Sequence, residues 1–188
     1  MAGWAPASAS HRANILIAAV AGLRISEILG LQIQDLDYKA QTLTVRRRVY
    51  RGDVDVPKTE TSKRTRYVGP LMEPLAQQAA DRKPEAFLFT REDGMPPDAR
   101  DLQQHVFRPA AEKAGCYHEG FGMHVFRRLN VTYRQQVGAT PIEAMRGAGH
   151  SSLNQTWLYT VDDAEREKEQ VERLWDRIKP KVENDAKA

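Results

Sequence analysis

Arg24, in the stretch Gly22-Leu23-Arg24-Ile25-Ser26-Glu27-Ile28-Leu29, is joined far downstream by His124-Val125-Phe126-Arg127, Gly149-His150-Ser151-Ser152 and Tyr159. Two arginines, two histidines and a tyrosine are the side-chain types that breaking a phosphodiester with a protein nucleophile requires. Cations neutralise the phosphate as charge builds in the transition state. A tyrosine hydroxyl can attack phosphorus and hold the broken strand covalently. The set points to DNA as substrate and to breakage with later rejoining as the reaction. Arginine suits the task because its planar fork of donors meets two phosphate oxygens at once. His124 and Arg127 stand three residues apart, so on a helix they share a face and can enter one site. Histidine titrates near neutrality and can orient or deprotonate a hydroxyl, or hydrogen-bond a phosphate oxygen. Each residue also has a plainer reading: a surface arginine, a structural histidine, an exposed helix glutamate at Glu27. No cysteine or carboxylate cluster stands at ligand spacing beside the histidines, so neither a metal nor another cofactor is expected.

The elements that must position these groups are those of an ordinary globular domain. With 188 residues, 41% hydrophobic and 28% charged, the chain is expected to form one domain with its own core. The single cysteine, Cys116, excludes an internal disulfide and favours a reducing compartment. Ile15 to Leu23 is apolar but too short to span a membrane, and Arg12 and Arg24 flank it. The first ten residues lack the charged and apolar regions of a secretory leader. A net charge of +3 says little about nucleic acid. Its distribution says more. Between residues 46 and 66 lie Arg46, Arg47, Arg48, Arg51, Lys58, Lys63, Arg64 and Arg66, against Asp53, Asp55 and Glu60. Such a stripe can track a phosphate backbone, and on charge alone it also fits a solvated hairpin.

Periodicity predicts a helix over 10–21 with Ile15, Leu16, Ala19 and Val20 as its apolar face, interrupted by Gly22, and a short helix over 26–31. Thr42 to Tyr50 reads as a strand, Arg51-Gly52-Asp53 as a turn, and 54–56 and 66–68 as strands completing a small antiparallel sheet. Lys58 then falls at or beside the turn between the last two. Helices are expected over 71–81, over 98–114 with Pro109 as a kink, over 123–137 ended by Gly138, and from Thr140-Pro141. Ser151 or Ser152 is expected to cap a short helix towards Tyr159, and an amphipathic helix from Asp162 presents Val171, Leu174 and Ile178. The class is α+β: mainly helical, with a three-stranded antiparallel sheet near the N-terminal third.

The chain resembles the catalytic domain of the tyrosine recombinases, the phage-integrase family, over about residues 11–178. Gly-Leu-Arg24-Ile-Ser-Glu27-Ile looks like the first arginine box, and Pro57-Lys58-Thr59 with Lys63-Arg64-Thr65-Arg66-Tyr67-Val68 like the β-hairpin lysine box. His124-Val-Phe-Arg127-Arg128 resembles the His-x-x-Arg box. Gly149-His150-Ser-Ser with Tyr159 nine residues after the histidine matches the histidine-to-nucleophile interval. Two positions depart from the pattern, Phe126 and Ala148, where the family usually has leucine; both are apolar swaps. The resemblance implies that Tyr159, among six tyrosines, is the nucleophile, with Arg24, Arg127 and His150 holding the phosphate and His124 assisting. Lys58 is implied as the acid that protonates the leaving 5′ oxygen, with Lys63 a rival because hairpin register leaves it open. Glu27 would support an arginine or cap its helix, and Arg46, Arg48, Lys63, Arg64 and Arg66 are the candidates for contacts to the DNA backbone. The implied partners are double-stranded DNA and other protomers in a tetrameric complex, without ATP or metal, and the implied location is the cytoplasm, with the nucleoid. Family members usually carry a helical core-binding domain before the first arginine box. Here about twenty residues precede Arg24, so residues 1–188 are expected to be a catalytic domain without it, with 160–188 as C-terminal helix and tail. A type IB topoisomerase shares this chemistry, but its Ser-Lys-x-x-Tyr pattern is missing around Thr156-Trp157-Leu158-Tyr159. A DNA-binding module that has lost catalysis is the alternative from another class.

Overall fold

The computed structural model describes residues 9–55, 64–149 and Val171. Thirteen residues free of glycine and proline, Ala9–Ala21, wind into helix α1. Its buried face is Ala13, Asn14, Ile17, Ala18 and Ala21, whereas Leu16 and Val20 are about 40% exposed. The predicted face was therefore rotated. Apolar residues run almost all round this helix, so spacing alone does not choose a side, and packing against helix α6 (Met123–Gln136) decides it. Gly22 turns the chain into helix α2 (Ile25–Leu29), which ends two residues short of the expected bound, where the Gly30 N–H returns to the Glu27 carbonyl.

The predicted strand over 42–50 is two strands, β2 (Thr42–Val45) and β3 (Arg48–Tyr50), preceded by a two-residue β1 (Leu36–Asp37). The break falls at Arg46-Arg47. Arg47 turns inward, with Nη1 2.5 Å from Asp35 Oδ2 and 3.2 Å from the Gly30 carbonyl oxygen. Beyond the break β3 pairs, among the described residues, with β4 (Asp53–Asp55), through a two-residue turn at Arg51-Gly52 in which both φ angles are positive. That is the turn geometry matching strand twist in tight hairpins. The three-stranded antiparallel sheet has the order β1-β2-β5, with β5 being Arg64–Tyr67 and Leu43 opposite both Leu36 and Arg66. A small antiparallel three-stranded sheet is thus present as expected, with a different membership: β1 replaces the 54–56 segment. Two residues are too few to display alternation, which is why β1 is invisible to periodicity.

Helix α3 (Met72–Ala79) follows a turn containing Pro70. The helix expected over 98–114 runs as α4 (Ala99–Leu102), a π-helical segment (Gln103–Phe107) and α5 (Arg108–Lys113). Pro109 lacks an N–H and its ring crowds the preceding turn. The widened turn before it, with the Arg108 N–H reaching back to the Gln103 carbonyl, accommodates it. Helix α7 (Pro141–Ala148) starts as expected: Thr140 Oγ1 accepts from the Glu143 N–H at 3.2 Å and the Glu143 carboxylate accepts from the Thr140 N–H at 2.7 Å. The core gathers Ile17, Leu23, Ile28, Leu29, Leu43, Leu75, Phe89 and Phe107, and a smaller cluster of Val131, Ala144 and Ala148 joins α6 to α7. Of the predicted last helix only Val171 is described; it is helical and exposed. The predicted cap at Ser151 or Ser152 lies outside the described residues. Among the described residues, no helix is long and apolar enough to cross a membrane.

Candidate active site

Arg24 stands at the N-terminus of α2, and the turn before it is held from α6. Gly22 has φ +66°, a conformation that costs residues with a Cβ. The Asn130 amide, 2% exposed, donates to the carbonyls of Ala19 at 2.8 Å and Val20 at 2.7 Å. These are carbonyls that the C-terminus of α1 leaves without helical partners. Arg134 braces the amide through Nε to Asn130 Oδ1 at 3.1 Å. One turn on, the Arg24 N–H donates to Glu27 Oε2 at 2.8 Å, and Arg24 Nη1 lies 3.3 Å from Oε1. The carboxylate therefore both caps the helix and fixes the guanidinium.

Arg127 occupies the centre, 5% exposed. Its Nη1 donates to the Gly22 carbonyl at 2.5 Å and its Nη2 to the Gly149 carbonyl at 3.2 Å. One cation thus grips the backbone two residues before Arg24 and one residue before His150. A guanidinium has five N–H donors, so donors remain for a ligand. Burial, and then the nearby Arg24, push its pKa down to about 10, with Glu27 opposing; it remains a cation at neutral pH. Gly149 closes α7 with φ +66°, its N–H returning to the Arg146 carbonyl at 3.1 Å.

Glu27 faces a group of cations. Arg64, on β5, places Nη2 2.6 Å from Glu27 Oε2. Arg66, on the same face of the strand, donates through Nη2 to the Arg146 carbonyl at 2.5 Å. Burial and then the charges of Arg64 and Arg134 lower its pKa. His124, on the first turn of α6, has its pKa held below the usual 6.5 by partial loss of water and then by Arg127, Arg128 and Arg24. The neutral ring is thereby favoured near neutrality, the form able to accept a proton. Arg24 and His124 together line a cleft of about 800 Å³ that runs to the β3–β4 hairpin and the start of α4, where Arg51 and Arg100 add two further cations.

The structure thus brings Arg24, Glu27, His124 and Arg127 together. Lys58, Lys63, His150 and Tyr159 lie outside the described residues. Of the candidate backbone contacts, Arg46 is half exposed with Nε 3.2 Å from the buried Asp35, and Arg48 pairs with Asp55 across β3 and β4 at 2.9 Å. Arg64 and Arg66 turn inward. Asn130 and Arg134 went unnoticed in the sequence, although their spacing of three and seven from Arg127 places them on the helix face that carries it. Arg100 was missed because nothing local marks it; it reaches the cleft only through the path of the chain. Among the described residues, no group of three His, Cys, Asp or Glu is placed to hold a metal ion.

Comparison with known proteins decides the lineage of this arrangement. The family described as the Phage integrase family matches residues 2–166. The chain belongs to the phage integrase family. The matched segment takes in Lys58, His150 and Tyr159 as well as the described cluster. Among curated relatives in the family, the integrase of Staphylococcus phage L54a is 25% identical over 192 residues, covering 87% of this chain and 54% of that protein. The chain therefore spans about half the length of that integrase. Among solved structures, the Tn1549 transposon integrase in complex with circular intermediate DNA is similar with a TM-score of 0.70, at 25% identity, over 87% of this chain and 59% of that one. The XerH site-specific recombinase bound to its difH substrate shares the fold, with a TM-score of 0.63 and 23% identity over 91% of this chain and 48% of that one.

Proposed function

We propose that this chain is the catalytic domain of a site-specific DNA recombinase or integrase that cleaves and rejoins strands through a tyrosine. The observation that carries the reading is Arg127, which holds the backbone beside Arg24 and beside His150 on one buried cation. The Tyr159 oxygen attacks the scissile phosphorus, a 3′-phosphotyrosyl bond forms, and the bond from phosphorus to the 5′ oxygen breaks. Lys58 supplies the proton to that leaving oxygen. Arg24, Arg127 and His150 meet the charge that accumulates on the non-bridging oxygens, and His124, neutral in the free protein, accepts or steadies the tyrosine proton. A 5′ hydroxyl from another strand then reverses the step. The covalent link conserves the bond energy, so no ATP is consumed. The cleft beyond Arg24 and His124, with Arg51 and Arg100 on its walls, would receive the duplex beside the cleavage point. Four protomers on two duplexes complete the exchange, in the cytoplasm and on the nucleoid. Membership of the family and the DNA-bound Tn1549 integrase structure support the reading.

The test is a nicked duplex carrying a candidate attachment site. The nick lets the short strand beyond the cleavage point diffuse away and traps the intermediate. A denaturation-resistant protein–DNA adduct that disappears in Tyr159→Phe, with DNA binding retained, is the expected outcome. DNA binding without an adduct, across sites that a longer relative cleaves, would leave a binding module and overturn the enzyme.

A further inference from the structure

Arg64 belongs to the basic stripe that the sequence offers to a phosphate backbone, yet its side chain is only 18% exposed. Its Nη2 is committed to Glu27 Oε2 at 2.6 Å, the oxygen that also receives the Arg24 N–H at 2.8 Å. The flat of the guanidinium lies against Gly149. A Cβ built on that glycine would come within 2.8 Å of Arg64 Cζ and Nη1 and 3.1 Å of Nε. Arg64 Nε is itself buried and has no acceptor among the described residues. One side chain therefore touches the carboxylate that orients Arg24 and the glycine that leads into His150, from a strand that follows the segment containing Lys58.

We infer that Arg64 is a positioning residue of the cleavage site, acting through Glu27 on Arg24 and through Gly149 on His150, and that it makes no phosphate contact. The inference rests on the strand-transfer reading above. It separates cleanly from the alternative the basic stripe suggests. A phosphate contact adds one released counterion to DNA binding, whereas an internal brace adds none. A brace shares its effect with Glu27, whereas a phosphate contact acts independently of it.

The experiment compares Arg64→Gln, Arg64→Lys, Glu27→Gln and the Glu27→Gln/Arg64→Gln double variant of the full chain, far below the melting temperature of each. Adduct formation is followed in single turnover at saturating nicked duplex, and duplex affinity is measured across a salt series. A misplacement on the order of 1 Å costs about 100-fold in rate, so Arg64→Gln is expected to slow adduct formation by about 10- to 100-fold. The double variant should be no slower than the slower single one, Arg64→Lys should recover part of the rate, and the salt slope should stay at the parent value. A salt slope shallower by about one, with additive rates in the double variant, would overturn the inference in favour of a phosphate contact. An Arg64→Gln protein that melts lower but forms adduct at the parent rate would overturn it in favour of a plain packing role. If the unsubstituted protein forms no adduct, the cleavage reading fails first. Arg64 is then decided by the salt slope and by whether its melting shift is non-additive with Glu27→Gln, both readable without cleavage.

Discussion

Replacing Gly22 by alanine tests whether α6 holds the first arginine turn in the way described, and Gly115 supplies the reference. The two glycines have almost the same backbone, φ +66° and φ +69°. A Cβ on Gly115 meets nothing within 4 Å, whereas one on Gly22 comes within 2.8 Å of Asn130 Oδ1 and 3.0 Å of the Ala148 Cα. Left-handed strain, about 1–2 kcal/mol for a residue with a Cβ, and the gain from stiffening the unfolded chain, about 0.4–1 kcal/mol, are common to both variants. What differs is what the methyl meets: the backbone of Ala148 and, as the side chain able to yield, Asn130. To clear the new methyl Asn130 must withdraw from the carbonyls of Ala19 and Val20, two bonds worth about 1 kcal/mol each, and leave a buried amide short of partners at a further cost of about 1 kcal/mol or more. Gly22→Ala should therefore be less stable than Gly115→Ala by about 3 kcal/mol. With a urea slope of roughly 2 kcal/mol per molar, the two unfolding midpoints would lie about 1.5 M apart. Midpoints within about 0.3 M of each other would show that Asn130 does not hold this turn, and the account of how Arg24 is placed would fall with it.

Two further outcomes follow from the charges. His124 should titrate below 6.5 in the free protein, and NMR of the ring protons reads this directly. Because its folded value is the lower one, the unfolded chain binds more protons between the two values. The resulting penalty is absent above 6.5, sets in as pH falls through 6.5, and is complete below the folded value; His124→Gln should flatten that part of the stability profile. A ring titrating at or above 6.5 would contradict the electrostatic picture. Asp35 has no exposed side-chain surface and Arg47 is 13% exposed. Arg47→Met should lower stability by about 3 kcal/mol by leaving a buried carboxylate with the half-exposed Arg46 as its remaining cation, beside the Gln32 N–H. A loss under about 1 kcal/mol in urea unfolding would place that pair among the weak surface ones.

The sequence made the ends of elements legible where a residue imposes its own geometry. Thr140-Pro141 announced α7, Gly138 followed α6, and Gly22 separated α1 from α2, because caps and left-handed glycines act locally. It made the site legible where spacing fixes a shared face, as with His124 and Arg127. It was weakest where partners come from far along the chain. The break at Arg46-Arg47 depends on Asp35, the facing of α1 depends on α6, and the inward turn of Arg64 depends on Glu27. A basic stripe reads the same whether its arginines look outward or are claimed by buried carboxylates. Pro109 announced a disturbance of the helix over 98–114, and the structure has a widened turn just before it.

Arg127 also sets when the site can exist. Its two carbonyl partners are Gly22, which precedes in the chain the helix that carries it, and Gly149, which follows that helix. The first can be engaged once α1 and α6 meet. The second waits until α7 has been made and has ended. A chain still being synthesised therefore holds no complete clamp while most of its basic surface is already present. Under the proposed reaction, the basic surface is made before the clamp closes at Gly149, and the clamp before the proposed nucleophile Tyr159, so DNA affinity would precede cleavage competence during synthesis.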